Sequence, residues 1–147
     1  MDNGSIYTKN LINFLSEKKI KFVSQKSDEV NISNMQQFNS FILSGRRKND
    51  KKINTVNSKI IKHTISEKKY LFGICYGAEI LTQTLGGTIK KSSKQVKGEE
   101  TVIVEKKNKI CQNKIDVFES HRYEISKLGS QLHSLARSKS CKHEIVK

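Results

Sequence analysis

Within "LFGICYGAEILTQTLGG", Leu71 to Gly87, two glycines stand two residues to either side of a cysteine: Gly73, Cys75 and Gly77. A thiol attacks as thiolate, and it must be held out towards a substrate. Both needs are met when an apolar strand turns at once into a helix with the cysteine at the corner. Leu71 to Ile74 suits a buried strand, and the residues after Cys75 keep helical spacing up to Gly86 and Gly87. A residue at such a corner takes a strained backbone and points its side chain above the sheet, at the positive end of the helix. Strand and helix then approach too closely for a β-carbon, so small residues are needed two before and two after. The spacing predicts a nucleophile elbow of the form G-x-C-x-G. The helix terminus favours thiolate, and the amide of Tyr76 points to where an oxyanion would form. The competing interpretation is a buried cysteine serving as a small hydrophobe. The strand before it and the helix after it argue for the nucleophile.

The elements that must position this corner can be read on either side of it. Tyr7 to Glu17 places Leu11, Ile12, Phe14 and Leu15 on one helical face. "KIKFV", Lys19 to Val23, alternates polar and apolar residues and predicts a strand. "SFILSG", Ser40 to Gly45, predicts a short buried strand ending in a turn. "RRKNDKKIN", Arg46 to Asn54, is expected to be a solvated loop, before a second helix carrying Val56, Ile60, Ile61 and Ile65. Tyr70 to Ile74 is the strand entering the corner, and Gly77 to Leu85 the helix leaving it, stopped by Gly86 and Gly87. After Thr88 the expectation changes to short β pieces: Thr101 to Val104, Ile115 to Phe118, Leu135 to Ser138 and His143 to Val146. Helix and strand alternate in the first half, which predicts an α/β fold with a largely parallel sheet. The second half is expected to add antiparallel β structure.

Composition limits the function classes. At 147 residues the chain has the length of one domain, and apolar residues make up 35% of it, spread throughout. No run approaches the roughly 18 apolar residues of a membrane span, and no charged-then-apolar leader opens the sequence, so a soluble cytoplasmic protein is expected. Cys75, Cys111 and Cys141 are an odd number at unrelated spacings, with neither a metal signature nor a disulfide framework. No phosphate-binding glycine loop is present, so neither cofactor nor metal is expected. The formal net charge of +14 comes from 28 Lys and Arg against 14 Asp and Glu. Nearly all the cations are scattered lysines, without the clustered arginines and interleaved aromatics of a groove that tracks phosphates. The charge therefore belongs to solvated faces and does not point to nucleic acid.

Taken together with its neighbours, "FGICYGAEILTQTLGGTI" resembles the nucleophile motif of class I glutamine amidotransferase domains, closing Gly-Gly included. Other pieces fall in that family's order. "DNGSIYTKNL" (Asp2 to Leu11) is similar to its opening after a first strand, and "FILSGR" (Phe41 to Arg46) to a strand followed by Ser-Gly-Gly-Pro. "KGEE" (Lys97 to Glu100) matches its Gly-Glu turn and "FESHRYEISKL" (Phe118 to Leu128) its Ser-His segment. Within the family the likeness leans to the amidotransferase part of GMP synthase. It implies a flavodoxin-like three-layer α/β fold and hydrolysis of glutamine through a γ-glutamyl thioester on Cys75. The oxyanion would be held by the amide of Tyr76 and one from the Gly45–Arg46 turn. Ser120, His121, Arg122 and Tyr123 would line the glutamine pocket, and Glu79 stands where most members have a glutamine that touches substrate. Arg46 replaces the family's second glycine, where the turn is expected to ask for a conformation costly to arginine.

The resemblance also implies parts that these residues do not contain. A thiolate nucleophile needs a base and a group to orient that base, and in the family these come as His-Pro-Glu on a late strand. There is no proline here, and "CKHEIVK" ends the sequence before that strand is expected. His121 belongs to the Ser-His segment, His143 lies too early, and His63 and His133 read as helix-face or loop residues. An apolar first strand is likewise expected before Met1. The expectation is one amidotransferase domain over residues 1–147 without its first strand and its His-x-Glu strand. Its ammonia would pass to a separate synthetase subunit of the ATP-pyrophosphatase type. The alternative is an inactive α/β binding module that keeps the fold and meets anions or nucleic acid through its basic surface. A dienelactone-hydrolase-like enzyme would share the elbow but give no reason for the Gly86–Gly87 and Ser-His matches.

Overall fold

Asp50 sets the first half of the chain in order. Its carboxylate accepts the amides of Lys52 and Ile53 at 2.7 and 3.2 Å and so starts a helix at Lys51. The segment from Arg46 to Asn54 is therefore not wholly a loop, as the sequence had implied, but a short turn followed by the first residues of that helix. The structure, a computed structural model, describes all 147 residues. Its backbone contacts divide into two compact units, Met1–Leu81 and Thr82–Lys147.

In the first unit, helix α1 spans Thr8–Glu17 and strand β1 spans Ser40–Leu43, with a short 3-10 helix at Ile32–Gln37 between them. Helix α2, Lys51–Ser66, makes the crossover that parallel pairing requires, and strand β2, Tyr70–Gly73, returns beside β1. The pair runs parallel from Ser40 opposite Tyr70 to Leu43 opposite Gly73. Helix α3, Tyr76–Thr84, follows directly. Leu43, Ile60, Ile61, Tyr76 and Ile80 form the buried core with Met35, whereas Ile65 of the expected α2 stripe is exposed. Of the α1 stripe, Leu15 is buried and Phe14 is exposed.

Lys19 to Val23 does not form the expected strand. Strand backbone is completed by a neighbour's amides and carbonyls. Here Phe22 and Val23 line one groove together with Leu11, Ile12, Phe41 and Ile42, and no strand pairs with them. Only the start of the chain reaches across. The Asp2 amide donates to the Gln25 carbonyl at 2.8 Å, the Met1 amine donates to Ile42 O at 2.8 Å, and Ser44 N donates to Met1 O at 3.2 Å. Burial pushes the pKa of that amine down.

The second unit is built on a four-stranded antiparallel sheet in the order β4–β3–β5–β6. β3 is Thr88–Val104, β4 Lys114–Lys127, β5 Ser134–Arg137 and β6 Ile145–Val146. Thr101 to Val104 and Ile115 to Phe118 are thus the ends of two long strands, not short pieces. The register runs from Thr88 opposite Lys127 to Ile103 opposite Lys114, with irregularities between Thr88 and Ile89 and between Lys91 and Val96. Backbone pairing continues here through mostly exposed polar side chains, which give no apolar alternation to read. "KGEE" likewise lies inside β3, with Gly98 opposite Glu119, and is not a turn.

Candidate active site at the Cys75 corner

β2 ends at Gly73 and α3 begins at Tyr76, so Cys75 is the corner itself. Its φ is +51°, a left-handed conformation that costs a non-glycine residue of order 1 kcal/mol or more and persists only where the surroundings enforce it. Three backbone hydrogen bonds enforce it. Ile74 N donates to Leu43 O at 2.9 Å, which keeps the strand on β1 up to the corner. Gly77 N donates to Ile74 O at 2.9 Å and Ala78 N to Cys75 O at 2.9 Å, so the first turn of α3 is built on the corner residues.

Neither flanking glycine has room for a side chain. A β-carbon on Gly73 would lie 2.5 Å from the carbonyl carbon of Gly77 and 2.7 Å from Ala78 N. One on Gly77 would run into the carbonyl oxygen of Leu43. The expected elbow geometry is present, with its cysteine exposed and no disulfide on any of the three thiols.

The surroundings of the thiol follow from the same crossing. Tyr76 is the first residue of α3, where a helical amide has no acceptor within its own helix. Gly45 is buried after β1, and a β-carbon built on it would come within 3.8 Å of that of Cys75. Glu79, also buried, sits in the first turn of α3, where the helix dipole favours a carboxylate; its amide donates to Cys75 O at 3.1 Å.

Arg46 does not carry the strain expected of it. The left-handed conformations nearby belong to Cys75 and Gly4, and Arg46 keeps a negative φ. Its guanidinium lies 4.0 Å above the centre of the buried Tyr76 ring. Arg46 Nη1 donates to Asn49 Oδ1 at 2.7 Å and Asn54 Oδ1 at 2.9 Å, and Tyr76 Oη donates to the same Asn54 oxygen at 2.7 Å. Burial pushes the tyrosine pKa up, against an opposing pull from Arg46.

The structure thus gathers Gly45, Arg46, Gly73, Cys75, Tyr76, Gly77 and Glu79 at one corner. The other four expected site residues are a run along β4. Ser120 pairs with Lys97, His121 with Val96 and Tyr123 with Lys91, while Arg122 falls at the irregularity in the register. Arg122 and Tyr123 are exposed; His121 Nε2 lies 3.0 Å from Glu119 Oε2 and its Nδ1 3.0 Å from Tyr123 O.

Sequence reasoning missed the side chains that hold the Gly45 turn from behind. Asn3 and Asn57 are buried as an amide pair, Asn57 Nδ2 donating to Asn3 Oδ1 at 2.7 Å. The Asn3 amide donates to Ser44 Oγ at 2.9 Å and its Nδ2 to Ser44 O at 2.8 Å. The available signal was Asn57 itself, a polar residue four and three positions from Ile53 and Ile60 on the apolar face of α2.

A parallel β–α–β unit with a cysteine in a left-handed corner between two space-limited glycines defines an α/β domain of the nucleophile-elbow kind. The family model for "Glutamine amidotransferase class-I" matches residues 1–147, and the chain belongs to that family. Over 142 residues it is 29% identical to a glutamine-hydrolyzing GMP synthase of Borreliella burgdorferi, a match that covers 92% of this chain and 24% of that protein. The chain spans about a quarter of the length of this relative. It is also 25% identical over 124 residues to anthranilate synthase component 2 of Cyanophora paradoxa, covering 84% of this chain and 65% of that one. Among solved structures, a GMP synthase subunit from Thermoplasma acidophilum superposes with a TM-score of 0.86 at 22% identity, over 100% of this chain and 75% of that one. No helix is long and apolar enough to cross a membrane.

Proposed function

We propose that this chain is the glutamine-hydrolysing part of a GMP-synthase-like enzyme of the cytoplasm, with Cys75 as its nucleophile. The observation that carries the reading is the left-handed Cys75 at the head of α3, packed between Gly73 and Gly77. The thiolate sulfur attacks the side-chain carbonyl carbon of glutamine, and the electron pair moves onto the carbonyl oxygen. Amides at Tyr76 and at the Gly45–Arg46 turn hold that oxyanion. Its collapse expels ammonia, with a proton supplied by the base, and leaves a γ-glutamyl thioester that water hydrolyses to glutamate. Glu79 and the Ser120–Tyr123 run are assigned to glutamine binding, and the ammonia goes to a separate synthetase subunit.

Turnover also needs a proton acceptor. His63 is the one histidine of the first unit, and its ring packs edge-on against Phe41 at 6.0 Å with Nε2 buried and unpartnered. The base and its carboxylate are assigned to the family's His-x-Glu pair, which residues 1–147 do not contain. General acid–base assistance is worth about 10²–10⁴-fold. The 147-residue chain is expected to show negligible glutaminase activity, and a chain extended through a His-x-Glu strand is expected to be active, to respond to its synthetase, and to lose turnover on Cys75→Ser. Robust glutamine hydrolysis by the short chain would move the base to a histidine already present. An extended chain without activity would favour the inactive binding module.

A further inference from the structure

We infer that the Arg46 side chain is a latch that fixes the two oxyanion-donor turns relative to each other, a positioning role that rests on the glutaminase reading. The donor amides sit on different pieces of backbone, one after β1 and one at the head of α3. Arg46 is held at both ends. Its backbone bridges to Asn3 and Gly4, and its guanidinium stacks on the ring of Tyr76, the residue that carries the other amide. Asn54 closes the ring, accepting from both Arg46 Nη1 and Tyr76 Oη on one oxygen, while Asn54 Nδ2 donates to Asn49 at 3.1 Å.

Asn54 is itself anchored in the first turn of α2, where its amide donates to Asp50 O at 3.0 Å. The turn, the corner and the start of α2 are thus joined through one planar cation. Lysine cannot replace it: an ammonium is a point charge without the guanidinium's flat stacking face and forked donors. Donors contribute to catalysis only when they are already aimed at the developing charge, and a displacement of about 1 Å can cost up to ~10²-fold in rate.

The test compares two reagents on the 147-residue chain. Iodoacetamide alkylates a thiolate with no oxyanion involved. A chloromethyl ketone bearing the amino-acid head and side-chain length of glutamine reacts through its carbonyl and draws on the donor amides. With Arg46→Lys, the chloroketone rate at Cys75 is expected to fall about tenfold or more, with the iodoacetamide rate unchanged. The iodoacetamide rate also reports that the corner is still folded. Tyr76→Phe keeps the ring beneath the guanidinium and is expected to lose less than Arg46→Lys.

An unchanged ratio of the two rates in Arg46→Lys overturns the latch and leaves the nucleophile standing. An equal fall in both rates also overturns it, because the substitution has then disturbed the thiol or the fold and not the donors. A wild-type chain that takes iodoacetamide at Cys75 but no chloroketone removes the glutamine reading, and the latch falls with it.

Discussion

Gly77 and Gly98 are glycine for opposite reasons, and the two regions that contain them are built differently. At Gly77 the backbone is ordinary and the space is gone: the Leu43 carbonyl occupies the place of a side chain. At Gly98, within β3, the space is open, with nothing inside 4 Å, and the backbone is unusual, at φ +143°. The corner is held by the close approach of two backbones, so its geometry is over-determined and can carry a strained residue such as Cys75. The hairpin is held by a ladder of amides and carbonyls between exposed side chains, which tolerates an irregular register. Strain can be kept where packing leaves no alternative.

The largest expected effect follows directly. Gly77→Ala drives a β-carbon into Leu43, whose carbonyl already accepts the Ile74 amide and whose side chain is fully buried. Backbone cannot yield there without parting β1 from α3, so a loss of about 3 kcal/mol or more is expected. Gly98→Ala meets no atom and costs only its conformation, about 1–2 kcal/mol. Urea unfolding of the two variants measures the difference. Equal midpoints would break the comparison, because the corner would then have room to give.

The thiols sharpen it next. Cys75 is exposed at the head of α3, Cys111 is half-buried, and Cys141 is buried with its thiol pushed up to about 12 by desolvation. A rise from 9.0 to about 12 lowers the thiolate fraction at neutral pH by about 10³. Brief iodoacetamide treatment at pH 7 should label Cys75 first and Cys141 last, by at least about a hundredfold between them. Peptide mapping reads the order, and equal labelling of all three would count against an activated corner.

How far the sequence could be read tracks the same contrast. Gly73, Cys75 and Gly77 announced the corner because close approach demands glycine at fixed offsets, and β1, β2 and α3 followed from their apolar runs. β2 is not the buried strand expected, however: Tyr70 and Phe72 are exposed. The C-cap was equally plain: Gly86 takes φ +83° and Gly87 N donates to Thr82 O at 2.9 Å. Lys19 to Val23 carried a strand's alternation but has no neighbour with which to complete it. Lys97 to Glu100 carried no alternation and is strand nonetheless, because pairing with β4, Lys97 opposite Ser120 to Glu100 opposite Val117, is a backbone property. The side-chain part of Arg46 could not be read at all. It depends on Tyr76 and Asn54, 30 and 8 positions away, meeting over one guanidinium.

The smallest effect lies at the far end of the antiparallel sheet, where a polar cluster is handled as the corner never is. Glu144 is half-buried beside β6, its Oε1 accepting from Ser138 Oγ at 2.5 Å, with Glu119 adding repulsion and His121 partly relieving it. Desolvation is the main cause that pushes its carboxyl up from 4.5 to about 7. The folded state therefore holds this proton more tightly than the unfolded chain does. The resulting stability is fully present below about pH 4.5 and is lost as pH rises through about 7. Glu144→Gln, which keeps the shape and cannot ionise, should remove the loss. Allowing for water around a half-exposed group, wild type should weaken relative to the variant by on the order of 1 kcal/mol between pH 5 and pH 8. His143, whose pKa burial pushes down, is present in both proteins and cancels from the difference. Parallel pH–stability curves for the two proteins would show that the carboxyl is not raised, and that this sheet end bears no more electrostatic strain than the rest of the hairpin.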